Sequence, residues 1–106
     1  MPTIAAQRAS EKIEADIVLA RSLYLAADVA AAVADKARFA AVAAAYKARA
    51  TARAYSGNTA NINAYAAANI TVKESWAAYD AAHDAVEIAS IRLQTLCDKL
   101  ATLQAR

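Results

Sequence analysis

The sequence predicts an all-α fold: a long antiparallel helical hairpin with Ala-rich coiled-coil packing, completed into a bundle by oligomerisation. Three observations predict it. The only Gly of the 106-residue chain lies near its middle, in Ser56-Gly57-Asn58-Thr59, and the only Pro is at position 2, where it interrupts nothing. Hydrophobic residues make up 59% of the chain, more than half of them Ala, the strongest helix former. On both sides of the Gly, apolar residues recur with alternating three- and four-residue spacing, the period of a helix packed along a partner helix. Val, Ile and Thr are scattered, which argues against strands. A chain of this length is expected to form a single domain over residues 1–106.

The first arm is expected over residues 3–55. Thr3 is placed to cap its start, since a hydroxyl can accept a hydrogen bond from a free amide of the first turn. Its seam reads Ile13, Ile17, Ala20, Tyr24, Ala27, Ala31, Ala34, then Ala41, Ala45, Ala48 and Ala52, interrupted at Arg38. A seam mostly of Ala lets the facing helix approach to the lower end of the usual range of about 8–10 Å. Gln7, Glu14, Arg21, Asp28 and Asp35 recur every seven residues and mark a polar face. Leu19, Leu23, Leu25, Val29 and Val33 spread apolar surface well beyond the seam, and such a helix is normally buried on more than one side. These five residues are the expected oligomer interface.

The turn is expected over residues 56–59. Gly57 supplies the left-handed conformation that ends a helix without a Cβ penalty, and Asn58 or Thr59 caps the next one. So short a connection makes the arms antiparallel neighbours. The second arm follows over residues 60–105, with its seam at Tyr65, Ala68, Val72, Ser75, Tyr79, Ala82, Val86, Ala89, Leu93, Leu96, Leu100 and Leu103. Trp76, Ile88, Ile91 and Cys97 widen the stripe. Asn69 to Lys73 is a weaker helix former, and Thr71 with Glu74 has the spacing of a capping box, so the second arm is expected as a continuous helix whose weak point is 69–73, a kink there being the alternative. The large residues of this arm crowd its C-terminal half, opposite Ile13, Ile17, Leu19 and Leu23, where the main core is expected.

Charge is unevenly spread. Residues 36–73 carry six basic groups and no acidic one, namely Lys36, Arg38, Lys47, Arg49, Arg53 and Lys73. The segments on either side each carry three basic and five acidic groups, so the net +2 conceals a positive middle third. In a hairpin the turn end becomes positive and the open end negative.

Catalytic chemistry finds no footing. Nucleophilic catalysis needs a base beside the nucleophile, and one His and one Cys fourteen positions apart give no such constellation. One Gly cannot make a phosphate-cradling loop. Asp80, His83 and Glu87 share one side of the second arm, and Asp80-x-x-His83 is similar to a shortened Glu-x-x-His pair of ferritin-like di-iron bundles. With a single His, the reading is a solvated acidic face, and no metal or other cofactor and no small-molecule substrate is expected. The lone Cys97, set among Leu residues, reads as a small core side chain. In size and mid-chain turn the chain resembles, in outline, the Trp-x-Gly helical hairpins exported by specialised bacterial secretion systems. Its turn reads Tyr-Ser-Gly, however, and it is not assigned to them.

The functional expectation is a non-enzymatic structural or interaction protein. It would assemble through Ala-rich helical faces and bind a macromolecular partner, as parts of larger particles such as virions do, or as small inhibitors do. The expected partner-binding face is Arg38, Phe39, Val42, Tyr46, Arg49 and Arg53, because Arg and aromatic residues interleaved on one side are enriched at interfaces. The bland reading of Phe39, Val42 and Tyr46 is an oligomer core covered by Arg stems. The alternative function is a nucleic-acid or polyanion binder acting through the basic turn end. Residues 17–34 are nearly apolar, but Arg21 and Asp28 interrupt them, and no charged-then-apolar leader opens the chain. The expected location is therefore cytoplasmic or within a particle, with no membrane association and no cleaved signal peptide.

Overall fold

The computed structural model describes residues 3–105 and is an all-helical two-helix hairpin. Helix α1 spans Ile4–Ala54 and helix α2 spans Thr59–Gln104, 51 and 46 residues respectively. Each starts on a side-chain cap. The Ala6 amide donates to Thr3 Oγ1 at 3.0 Å, and the Ala60 and Asn61 amides donate to Asn58 Oδ1 at 3.0 and 3.4 Å. Between the helices Gly57 takes φ +91°, the left-handed region that a side chain makes costly. The Asn58 amide then donates to the Tyr55 carbonyl at 3.2 Å, closing the turn. Asn58, one of the two residues expected to cap α2, is the one that does so.

The expected weak point of α2 is helical throughout, from Asn69 to Lys73. Thr71 does not open a new helix there. Its hydroxyl donates back to the Ala67 carbonyl at 3.3 Å, satisfying itself within the ladder.

The hairpin divides into two compact units. Among the described residues the first joins 3–29 to 83–105. Here Ile17 lines one cleft with Cys97 and Leu100, and Ile13 lines another with Thr95, Asp98 and Leu103. Ile17 and Ala20 are buried, at 6% and 2% exposure, and Cys97 is half-buried beside them. The second unit, residues 30–82, contains the turn, and Ala31 is its buried residue at 5% exposure. Within each unit the paired positions lie nearly equidistant from Gly57, as antiparallel pairing requires: Ile17 with Cys97, Ala45 with Asn69.

Burial follows the three-four alternation read from the sequence along both helices, with every seam residue buried or half-buried. Arg38 is the departure. It was expected to interrupt the seam, yet it occupies the seam position between Ala34 and Ala41, with its side chain only 16% exposed. The polar heptad residues also sit closer to the partner helix than a fully wet face would. Glu14 and Arg21 line the same cleft as Ile17, Cys97 and Leu100, so they flank the seam rather than oppose it.

Candidate docking cleft beside the Arg38 cluster

The side chains with the most to offer a partner gather in the second unit, and Arg38 organises them. A guanidinium in a helix–helix seam must replace its lost hydration. Asp35, one turn earlier, accepts from Arg38 Nη2 at 3.0 Å. Three rings surround the cationic carbon: Trp76 at 4.4 Å, Phe39 at 4.5 Å and Tyr79 at 4.8 Å to their centroids. The electron-rich faces of aromatic rings attract a cation, and Arg stacks on them better than Lys because its head is planar. Trp76 and Tyr79 also meet edge to face, 5.6 Å apart at 76°. Arg38 Nε has no hydrogen-bond partner and is left to the ring faces.

Next to this cluster lies a solvent-open cleft of about 190 Å³. The half-buried Val42, Ala45, Tyr65 and Val72 form its floor, and the exposed Tyr46, Arg49 and Asn69 its rim. Helical spacing explains the grouping. Phe39, Val42, Tyr46, Arg49 and Arg53 repeat the three-four alternation on a line just beside the seam, and Asn69 and Trp76, seven apart, flank the α2 seam on the same side. Of the six residues expected to bind a partner, three therefore line one cleft, and Phe39 stacks on Arg38 beside it. Arg38 itself is committed within the fold. Arg53 is exposed in the last turn of α1, where a cation also favours the negative end of the helix dipole.

Reasoning from the sequence did not place Trp76, Tyr65 or Asn69 in this site. Their distances from Gly57 match those of Arg38, Arg49 and Ala45, so the pairing register would have found them.

The five residues expected to form an oligomer interface are all exposed, Leu25, Val29 and Val33 at 63%, 65% and 64%. Leu23 lines a further groove of the first unit, with Ala20 and Ala27 on one side and Ala85, Ile88 and Ala89 on the other. Asp80, His83 and Glu87 are exposed, and among the described residues no three His, Cys, Asp or Glu side chains are grouped to hold a metal ion. By length and composition α1 could cross a membrane: an 18-residue window of it reaches a mean hydropathy of 1.7, with 17% of that window buried. No family model, curated protein or solved structure matches this chain.

Proposed function

We propose that this protein is a non-enzymatic assembly protein that associates with further copies of itself through the apolar faces its hairpin leaves uncovered. One observation carries the reading. Among the described residues three apolar side chains are buried, none larger than Ile17, while fifteen large ones stand exposed. Ordering the backbone costs about 1–2 kcal/mol per residue, and a seam with one Ile and two Ala buried and its other residues only half-buried offsets less of that than a fully covered core would. Contiguous exposed apolar surface on a soluble chain marks a place where another molecule sits.

By helical spacing Val29 lies opposite the seam of α1, with Val18 and Leu25 on one flank and Leu19 on the other, and all are at least half exposed. A bilayer is the competing cover. Insertion costs about 2.5–3.5 kcal/mol for an Arg or Asp at the helix centre and gains only about 0.3–0.6 for each Leu, Ile, Val or Phe. Arg21 and Asp28 together outweigh the Ile, Leu and Val residues around them, and Ala adds almost nothing. Protein is the better cover for this face.

The test is sedimentation velocity on the wild type and on the double variant V29E/V33E. The wild type is expected as a defined oligomer at micromolar concentration, most simply a dimer forming a four-helix bundle, and the variant as a smaller species that keeps its helix content. A wild-type monomer at micromolar concentration with a sharp, high-temperature melt would overturn the proposal.

A further inference from the structure

We infer that the cleft beside the Arg38 cluster is a docking site for an acidic protein helix, with an apolar side chain of that helix seated on Val42, Ala45 and Val72 and a carboxylate on Arg49. It rests on the lining and charge of the cleft, and not on the exposed Leu25, Val29 and Val33 that the self-association reading uses.

The first observation is the lining. A largely apolar floor that includes Tyr65, with Tyr46, Arg49 and Asn69 at its rim, has the residue types of an interface hot spot: rigid aromatic area, directed donors and an apolar floor a partner can cover. The cleft's volume and openness suit one large side chain presented on a helix, and its walls are themselves two helices whose ridges leave a groove between them.

The second is charge. Residues 30–82 hold six basic and three acidic groups; Asp35 is engaged by Arg38, and Glu74, two residues after Val72, falls on the far side of the α2 seam from Asn69 and Trp76 by helical spacing. Arg49 makes no ion pair among the described residues, so its guanidinium stands at the cleft rim without a counter-charge. A second copy of this unit would bring like charge to like charge, which disfavours self-association here. An acidic segment supplies what the site lacks.

The third separates a protein helix from nucleic acid. Arg49, Arg53 and Lys73 project on the cleft side by helical spacing, Lys73 on the same line of α2 as Asn69 and Trp76, whereas Lys36 and Lys47 lie nearly opposite the seam of α1. Three phosphate contacts give a log–log salt slope of only about −3, well short of the six to ten contacts that make duplex binding strong. The apolar floor, meanwhile, would be left without a complement.

The experiment is fluorescence anisotropy with three labelled probes. One is an amphipathic helical peptide with Leu at three-four spacing and Glu elsewhere; the second has Lys in place of Glu; the third is an oligo-dT strand. The Glu peptide is expected to bind the wild type, and to bind R49E at least tenfold more weakly. It should bind N69W equally weakly, because the indole fills the cleft without changing charge. The Lys peptide is expected to recover on R49E, a charge swap that general destabilisation would not produce, and circular dichroism checks that both variants stay helical. V29E/V33E is expected to retain the Glu peptide, so failure of self-association and failure of this site are told apart. Equal binding of both peptides, unchanged binding by R49E and N69W, or tight salt-sensitive binding of oligo-dT in place of the Glu peptide would each overturn the inference.

Discussion

Removing the Arg38 side chain should weaken the hairpin by about 2–3 kcal/mol, and replacing it with Met should restore most of that loss. Phe39 is the next residue on the same helix, so its contact with Arg38 needs no partner helix. Trp76 and Tyr79 are on α2, and their contacts at 4.4 and 4.8 Å exist only when the helices pair. A cation over a ring contributes about 0.5–1 kcal/mol when exposed and about 2 when desolvated. With Arg38 itself mostly buried and Trp76 still 44% exposed, about 1 kcal/mol for each ring is a fair value. The ion pair adds less than about 1 kcal/mol, because Asp35 is 41% exposed and water screens it. The aliphatic stem packs in the seam and contributes about 0.8 kcal/mol for each methylene it buries. Met keeps that packing and gains a sulfur–aromatic contact of about 0.3–1.5 kcal/mol. It also removes a buried Nε–H without a partner, so R38M should lie within about 1 kcal/mol of wild type. Urea unfolding at fixed protomer concentration measures this, and Trp76, the only Trp, makes fluorescence a local reporter of the cluster. R38A within about 0.5 kcal/mol of wild type would show that the three rings do not hold the arms together. R38M as damaging as R38A would show that charge, not packing, is what the seam needs there.

Two further substitutions test the turn and the seam. G57A should cost about 1 kcal/mol in the same urea assay although a Cβ at that position meets nothing within 4 Å, because the penalty lies in holding φ +91°. A20L should destabilise by about 1–3 kcal/mol despite adding apolar surface to a good helix position, since Ala20 is 2% exposed and leaves the opposing helix no room. A melting temperature for A20L at or above wild type would mean the seam is loose enough to absorb a larger side chain.

The seam was legible because it depends on one helix at a time. The period of Ile13, Ile17, Ala20 and Tyr24, and of Val86, Ala89, Leu93 and Leu96, is written in the spacing alone, and burial follows it residue by residue. The turn was legible for the same reason: one Gly with an Asn after it has few local uses. Arg38 was misjudged as an interruption because a charge in a seam is tolerable only through what faces it. Trp76 and Tyr79 are far away in sequence, and their value to Arg38 appears only once the register is fixed. The cleft shares that origin. Val42, Tyr46 and Arg49 could be grouped on one helix by spacing, but its other wall, Tyr65, Asn69 and Val72, belongs to the other arm.

The same physics explains why the apolar residues off the seam carry the functional question. A hairpin has one shared interface, and the seam positions already fill it. A large apolar residue placed elsewhere therefore gains only partial cover from the fold of a single chain. Phe39 and Tyr46 at least sit beside the Arg38 cluster and its cleft, whereas Leu25 and Val29 on α1 and Ile91 on α2 stay mostly exposed. Helix propensity does not ask for them either, since Ala at each position would favour the helix more. What such residues can gain is burial against a second surface, at about 1.5–3 kcal/mol for each side chain fully covered. Four or five of them covered together would add roughly 6–15 kcal/mol to what the seam's one buried Ile, two buried Ala and many half-buried residues supply. In the proposed assembly, association would therefore add its own share of apolar stabilisation to that of the seam, with the hairpin of the single chain as its scaffold.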